Sequence, residues 1–273
     1  MADSHFDLSA LAHASQDLYA AVRRDAPLVQ CLTNFVSMNI TANVLLAMGA
    51  SPAMVHATDE APEFARVAGA VVINIGTLSA PWLESMLLTA ASARQAGVPW
   101  VLDPVAHHAT AFRRNAVQQL LALRPAIIRG NASEIIALAG GRSASKGVDA
   151  RDSVAQAEQA ALAIAVAHQT VVAVTGETDY VTDGKRSVRV TGGSALMPCV
   201  TATGCALTAL VGAFAAVSKG DPYIAAVAAL SCFGIAGQRA GALAEGPGSF
   251  AWRFLDTLAA LETDSLTRES PLR

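Results

Sequence analysis

The fold of this chain is decided by an eight-residue run, Gly69-Ala70-Val71-Val72-Ile73-Asn74-Ile75-Gly76. The run is almost continuously apolar and β-branched, and a glycine stands at each end, which is typical of a strand buried on both faces of a sheet. Residues 79–96 then have helical character, with Ser79 as N-cap and Gly97 after the last turn. A second apolar run follows at 98–102. This order predicts two parallel strands joined by a crossover helix.

The same alternation continues along the chain. Residues 180–190 carry Asp183-Gly184 in their middle, which predicts an antiparallel hairpin at one edge of the sheet. We therefore predict an α/β fold, a three-layer α/β/α arrangement with a mainly parallel central sheet and helices on both faces. No repeat, low-complexity block or linker interrupts the sequence, so one domain is expected over residues 1–273. Further strands are predicted at 28–32, 53–55, 125–129 and 170–174, and further helices at 37–48, 111–123, 132–138, 153–168, 205–217, 224–237 and 250–261.

The composition favours a compact globular protein. Of the 273 residues, 53% are hydrophobic and 15% are charged, and the formal net charge is -3. These values exclude the disordered class, which needs low hydrophobicity and high net charge. No run is rich in Lys and Arg, so nucleic acid is not expected as a partner.

Cysteine use and apolar segments bear on the compartment. The four cysteines show no CxxC spacing, so free thiols in a reducing compartment are expected. Residues 1–7 are polar and acidic and lack a signal-peptide pattern. Mean hydropathy is +0.40, but the most apolar segments, 205–217 and 224–237, are shorter than the roughly 20 residues of a membrane-spanning helix. We expect a cytoplasmic protein that does not enter a membrane.

A loop that leads into an apolar helix is the first candidate site. It reads Val200-Thr201-Ala202-Thr203-Gly204-Cys205. Unpaired N–H groups and the helix dipole make such a junction a ready anion site. The same field favours a thiolate on the first turn, so we predict that the pKa of Cys205 is lowered toward neutrality. Together these features point to group transfer from a phosphate donor; the alternative is that Cys205 is a small buried hydrophobic residue.

Polar residues directly after the predicted strands form a second set of candidates. Parallel strands deliver such residues to one edge of the sheet, where they should converge. Asp103, Asn131 and Glu134 offer oxygen ligands suited to Mg²⁺. The alternative for Asn131 and Glu134 is a helix cap with an acidic residue in the first turn, which is the commoner arrangement.

Arg129 and Thr175-Gly176 are candidates for phosphate binding. A guanidinium binds phosphate bidentately, and a hydroxyl next to a backbone N–H offers two further donors. The alternatives are a solvated surface arginine and an ordinary strand-to-turn junction. His107 and His108 are expected to be loop residues, because no further His or Cys cluster completes a metal site. Met54 is either a core residue or a thioether placed against a flat ring.

Taken together, these segments resemble the hydroxyethylthiazole kinase family of the ribokinase-like superfamily. The sequence has no P-loop, GxGxxG or GxSxG motif, so P-loop ATPases, dinucleotide enzymes and α/β-hydrolases lose support. The matching pieces occur in family order and cover nearly the whole chain. They are Leu32-Thr33-Asn34, Thr41-Ala42-Asn43 through Gly49-Ala50-Ser51-Pro52-Ala53-Met54, Asn74-Ile75-Gly76-Thr77-Leu78, Leu102-Asp103-Pro104-Val105, Ile128-Arg129-Gly130-Asn131-Ala132-Ser133-Glu134-Ile135, Lys146-Gly147-Val148-Asp149, Val174-Thr175-Gly176-Glu177, the 200–205 loop and Gly246-Pro247-Gly248-Ser249-Phe250.

The resemblance implies an activity and a set of roles. The activity is transfer of the γ-phosphate of ATP, with Mg²⁺, to the hydroxyl of 4-methyl-5-(2-hydroxyethyl)thiazole in thiamine salvage. The resemblance also implies a homotrimer with active sites between subunits. Cys205 would be the base, in place of the Asp of most ribokinase-like enzymes. The other roles would be the anion hole for Gly204, thiazole binding for Asn34, Met54 and Ala202, ATP binding for Arg129, Thr175 and Gly176, and Mg²⁺ binding for Asp103, Asn131 and Glu134.

Two departures from the family pattern concern the pocket. Ala202 stands where the family usually has glycine, which is costly if the backbone φ angle is positive there. Ala106-His107-His108 follows Asp103-Pro104-Val105 where the family tends to have small residues. A lyase of the same fold, such as a nicotinamide-nucleotide-hydrate dehydratase, is disfavoured because Cys205 replaces the superfamily Asp. A catalytically silent binding relative is disfavoured because the candidate catalytic set is complete.

Overall fold

Eight strands form one sheet in the part of the chain that the structure describes. A computed structural model describes residues 7–141 and 154–273. The described strands are β1 (Leu28–Leu32), β2 (Ser51–Ala53), β3 (Ala70–Asn74), β4 (Trp100–Asp103), β5 (Ile127–Asn131), β6 (Val171–Thr175), β7 (Asp179–Thr182) and β8 (Ser187–Val190). Their order in the sheet is β2-β1-β3-β4-β5-β6-β7-β8. The first six of these pair in parallel, and β7 and β8 add an antiparallel hairpin to β6.

Helices cover both faces of the sheet, as predicted. One hydrophobic cluster packs α1, α2 and α8–α11 on one face, and a second packs α3–α7 on the other. The helices are α1 (Leu8–Asp25), α2 (Met38–Ala47), α3 (Ala61–Phe64), α4 (Ala80–Ala96), α5 (Ala111–Leu121), α6 (Ala132–Leu138), α7 (Val154–His168), α8 (Thr203–Val217), α9 (Pro222–Leu243), α10 (Pro247–Ala259) and α11 (Ser265–Arg268).

The boundaries follow local signals, with a few corrections. Ser79 accepts a hydrogen bond from the Trp82 N–H and caps α4 as predicted, and Gly97 ends that helix in the left-handed region. The amphipathic helix α1 was not predicted; it starts at Asp7, whose carboxylate accepts from two backbone N–H groups. The family segment Lys146-Gly147-Val148-Asp149 lies outside the described residues.

Helix α9 is longer than predicted. It starts at an Asp221 cap followed by Pro222, and it continues through Gly237 to Leu243, 22 residues in all. Gly237 does not end the helix; it lies inside it, close to Met197 and Gly193 of the preceding segment. Among the described helices, α9 alone is long and apolar enough to cross a membrane, and 72% of that apolar window is buried within the fold. Its hydrophobicity is therefore that of a core helix.

Candidate active site

The candidate site lies where the carboxyl ends of the parallel strands meet the start of α8. Register places the strand ends side by side: Asn74 of β3 pairs with Asp103 of β4, and Asn131 of β5 pairs with Thr175 of β6. Helix α8 packs over β1, β3 and β4. This packing brings Cys205, the third residue of α8, to the edge that carries the polar groups.

A chain of hydrogen bonds connects Cys205 to Asp103. The Asn34 Nδ2 donates to Cys205 Sγ at 3.4 Å and to Asn74 Oδ1 at 2.8 Å. The Asn74 Nδ2 in turn donates to Asp103 Oδ2 at 2.8 Å, and Thr208 Oγ1 donates to the same oxygen at 2.7 Å. Neither Asn74 nor Thr208 was predicted to act in the site. For Asn74 a signal was available in the sequence: it is an amide within an apolar strand, and a buried amide requires a hydrogen-bond partner.

The predicted lowering of the Cys205 pKa is wrong. Burial raises the pKa of this thiol to about 11, and the Asp103 carboxylate adds to the rise. The Asn34 hydrogen bond and the Arg129 charge act in the opposite direction and do not compensate. Burial and a neighbouring carboxylate both disfavour the thiolate, so the pKa of Cys205 is raised although the residue lies in the first turn of a helix.

The start of α8 has the donors of an anion site. Its N-cap residue, Ala202, makes no side-chain cap, and the first bond of the helix runs from the Ala206 N–H to the Ala202 carbonyl. The N–H groups of Thr203, Gly204 and Cys205 have no acceptor among the described residues. Three unpaired N–H groups in a row at the start of a 15-residue helix suit a phosphate oxygen.

Ala202, which stands where the family usually has glycine, adopts a backbone conformation that is strained for any residue with a Cβ. Its φ is 61° and its ψ is 11°, in the left-handed region. In that region a side chain with a Cβ costs about 1 kcal/mol more than glycine. A strained alanine therefore occupies the N-cap position of α8, directly before the candidate anion site.

Ala202→Gly should raise the free energy of unfolding by about 1 kcal/mol, because glycine adopts positive φ without strain. Urea unfolding monitored by circular dichroism measures the change. Ala91→Gly, at an exposed position inside α4, is the matched control and should lower the same quantity by about 1 kcal/mol. A lower stability for Ala202→Gly would contradict the strain argument.

Arg129 faces the start of α8 from β5. Its Nη2 donates to Thr175 Oγ1 at 2.6 Å, and its Nη1 lies 3.7 Å from Asp103 Oδ2. A Cβ added to Gly204 would lie 2.9 Å from Arg129 Nη1, so only glycine allows the guanidinium this close to the helix. Arg129 is 9% exposed, and its position is buried rather than on a solvated surface.

Asn131 and Glu134 form the predicted helix cap. Asn131 Oδ1 accepts from the Glu134 N–H and Glu134 Oε2 accepts from the Asn131 N–H, both at 2.9 Å, which is a capping box. Glu134 Oε1 accepts from the Ala106 N–H at 2.9 Å. Both carboxylate oxygens of Glu134 therefore already receive backbone donors.

Asp103 differs from Glu134 in that one of its two carboxylate oxygens accepts no hydrogen bond from the described residues. Asp103 is fully buried, and its Oδ1 has no hydrogen-bond partner among the described residues. Burial raises its pKa to about 7, and Glu134 adds to the rise while Arg129 opposes it. Burial also raises the pKa of Asp179 to about 7, again opposed by Arg129. The Arg129 guanidinium therefore opposes the pKa rise of both aspartates, and a divalent cation at Asp103 would add positive charge beside the buried carboxylate.

The remaining predicted residues lie at the margin of this network. The Gly176 N–H, predicted to bind phosphate, donates to Asp179 Oδ1 at 2.9 Å. Met54 follows edge strand β2 and packs, partly buried, against the core. His107 lies in a 3₁₀ turn (His107–Ala109) and is buried, which lowers its pKa to about 4 and keeps it neutral. Within the described ranges, no cluster of three His, Cys, Asp or Glu is placed to hold a metal ion.

Sequence comparisons assign the chain to a family. The profile of the hydroxyethylthiazole kinase family matches residues 19–264. A hydroxyethylthiazole kinase of Rhizobium rhizogenes is 62% identical over 253 residues, covering 93% of this chain and 94% of the relative. One of Rhizobium johnstonii is 65% identical over 246 residues, covering 90% and 92%.

Solved structures agree with the sequence comparisons. A hydroxyethylthiazole kinase protein from Pyrococcus horikoshii superimposes with a TM-score of 0.87 at 41% identity, covering 95% of this chain and 98% of that one. A Bacillus subtilis pyridoxal kinase shares the fold at 17% identity, with a TM-score of 0.55 and coverage of 76% and 89%. The ribokinase-like fold and the profile match point to the same conclusion: this chain belongs to the hydroxyethylthiazole kinase family and is a kinase.

Proposed function

We propose that this protein transfers the γ-phosphate of ATP to the primary hydroxyl of 4-methyl-5-(2-hydroxyethyl)thiazole, a step of thiamine salvage in the cytoplasm. The observation that carries the proposal is the meeting of three groups at one edge of the sheet. These are the unpaired N–H groups at the start of α8, the buried Arg129 guanidinium beside them, and the Cys205 thiol on the same turn. Family membership supplies the substrate.

The N–H groups of α8 and Arg129 would bind the phosphoryl group during transfer. Phosphoryl transfer depends mainly on positioning and on stabilising charge at the phosphoryl oxygens. The N–H groups of Thr203, Gly204 and Cys205 are preorganised donors for those oxygens, and Arg129 adds a positive charge held in place by Thr175. Gly176 directly follows Thr175, and its N–H would be offered to the nucleotide if the Asp179 carboxylate released it.

Cys205 would act as the general base in its thiolate form. As the hydroxyl oxygen of the substrate bonds to the γ-phosphorus, the thiolate takes the hydroxyl proton. The bond between the γ-phosphorus and the oxygen shared with the β-phosphate breaks, and ADP leaves with that electron pair. Asn34, which contacts Cys205 Sγ, would orient the thiolate, and Ala202 and Met54 would border the thiazole ring.

The residues present fit a magnesium ion. Asp103 Oδ1 is buried without a partner, while Glu134 and Asn131 hold each other in the helix cap. Asp103 would therefore be the direct ligand, with water and phosphate oxygens completing the shell, and Glu134 and Asn131 would support the site indirectly. Bound Mg²⁺ would neutralise charge on the β- and γ-phosphates.

A homotrimer with its active sites between subunits is part of the proposal. Phe35 and Val36 directly follow Asn34 and are 65% and 58% exposed. The Phe35 ring packs edge-on against Trp82 at 4.8 Å between centroids. An apolar rim of this kind beside a polar site suits contact with a second subunit.

Phe35→Asp should dissociate the trimer, because a charge would be buried in the contact without a partner. Sedimentation velocity should show a lower mass for the variant, and its kcat should fall with it. Val166→Asp is the control: Val166 is 65% exposed near the end of α7, at the opposite edge of the sheet. A monomeric wild-type protein would overturn this part of the proposal.

The proposed activity is tested by identifying the phosphorylated product. The protein is incubated with Mg²⁺, ATP and either the thiazole alcohol or pyridoxal, and phosphorylated products are identified by mass spectrometry. We expect phosphorylated thiazole and little pyridoxal phosphate. Preference for pyridoxal, or no product from folded protein, would overturn the proposal.

A further inference from the structure

Arg113 connects two loops of the candidate site from outside it. Arg113 lies in the first turn of α5, and its side chain is half-buried. Its Nη1 donates to the Ile75 carbonyl at 2.8 Å and to the Val105 carbonyl at 2.9 Å, and its Nη2 donates to the Gly76 carbonyl. The acceptors belong to the loops that leave β3 and β4, so one guanidinium spans both.

The loop after β3 positions Asn34. The Gly76 N–H donates to Asn74 Oδ1 at 2.9 Å, the same oxygen that accepts from Asn34 Nδ2. A Cβ added to Gly76 would lie 2.6 Å from Asn34 Nδ2 and 2.8 Å from Asn34 Cβ, so the two residues are in close contact. The Thr77 hydroxyl accepts from the Phe35 N–H at 3.1 Å. A shift of this loop would move the amide that contacts Cys205.

The loop after β4 positions the other half of the site. Val105 directly precedes Ala106, which has a positive φ of 48° and donates its N–H to Glu134 Oε1. The same loop begins at Asp103. A displacement of Val105 would therefore affect both the Asp103 carboxylate and the contact with the capping box of α6.

The chemistry at this position requires a guanidinium. Arg113 has no ion-pair partner within the described parts of the chain, and all three acceptors are backbone carbonyls. A planar guanidinium presents several N–H groups in fixed directions, whereas a lysine ammonium is a single point on a flexible stem. The neighbouring Arg114 is exposed and donates to one carbonyl, that of His108, at 2.9 Å.

We propose that Arg113 is a positioning residue that fixes the β3 and β4 loops relative to each other, and thereby holds Asn34 against Cys205. The inference rests on the proposed function, because the residues it positions are those of the proposed phosphoryl transfer.

The first test is structural and needs no substrate. Amide hydrogen exchange of peptides covering 74–78 and 103–108 is compared in wild type, Arg113→Lys, Arg113→Ala and Arg114→Ala. Both segments should exchange at least about tenfold faster in the Arg113 variants and as in wild type in Arg114→Ala. Unchanged exchange in a folded Arg113→Lys variant would overturn the proposal.

The second test is a double-mutant cycle on kcat with Arg113→Lys and Asn34→Ala. If Arg113 acts through Asn34, the two losses are not additive: Arg113→Lys lowers kcat about tenfold in wild type and by a smaller factor in Asn34→Ala, where only the effect through the β4 loop remains. Additive losses would overturn the proposal. Absence of thiazole phosphorylation by the wild-type protein would instead show that the proposed function is wrong, and the exchange measurement still decides the structural role.

Discussion

Cys205→Ala should lower kcat for phosphorylation of the thiazole alcohol by about 100-fold and leave both KM values nearly unchanged. The range for general-base catalysis by a side chain is about 10²–10⁴-fold, and the low end applies because phosphoryl transfer demands little from its base. Substrate binding should persist, because the N–H groups of α8 and Arg129 do not depend on the thiol. Steady-state kinetics with separate titrations of ATP and thiazole measure the effect.

Two variants control this measurement. Cys199→Ala removes an exposed thiol from the 3₁₀ turn Met197–Cys199 and should leave kcat unchanged. Cys205→Asp replaces the thiol by a carboxylate, which is ionised at neutral pH in water, and should retain most of the activity. Loss of activity in Cys199→Ala, or full activity in Cys205→Ala, would remove Cys205 from the base role.

The pH profile separates the base role from simple packing. Because burial raises the pKa of Cys205 to about 11, the thiolate fraction grows about tenfold for each pH unit between 7 and 10. The value of kcat/KM in the wild-type protein should rise with that slope, since it reports the free enzyme. The Cys205→Asp profile should be much flatter. A wild-type plateau near pH 8 would mean that the thiol titrates as the sequence alone predicts.

The strands could be predicted from the sequence, whereas the pKa of Cys205 could not. The continuous apolar runs predicted the buried parallel strands within about two residues, because such strands carry their signal locally. The Cys205 pKa depends on burial and on Asp103, which lies 102 positions earlier in the chain. The local feature, a helix N-terminus, by itself favours the thiolate. The sequence pattern reveals the helix dipole at Cys205, but it does not reveal that the thiol is buried beside a carboxylate.

The same limit applies to the partners of the predicted residues. Asp103, Arg129 and Thr175 were predicted from their places after strands, and the parallel register does bring them together. Asn74, Thr208 and Arg113 were not, because each acts across elements that only the folded sheet makes adjacent. Ala202 lies between these cases. The sequence shows an alanine in place of a glycine but not its φ angle, and the structure gives that angle as 61°.

Asp103→Asn should lower kcat by about 10²- to 10³-fold and abolish the stabilising effect of Mg²⁺. The reason is that Asp103 Oδ1 is the buried carboxylate oxygen left without a partner in the described network. Differential scanning fluorimetry with ADP alone and with ADP plus Mg²⁺ gives a readout independent of turnover. Wild type should melt higher when Mg²⁺ is added to ADP, whereas Asp103→Asn should melt at the same temperature in both.

Glu134→Gln is the matched control, because it also replaces a carboxylate by an amide at the same edge. Both Glu134 oxygens accept backbone N–H groups, so one of those bonds is lost and the free energy of unfolding should fall by about 1 kcal/mol. Its response to Mg²⁺ should remain. Asp103→Asn should behave in the opposite way, more stable than wild type without ligands at pH 8, because the pKa of Asp103 is raised to about 7 even beside Arg129 and its ionised form therefore costs stability above that pH. If Glu134→Gln lost the Mg²⁺ response and Asp103→Asn kept it, the ion would be held from α6 rather than from β4.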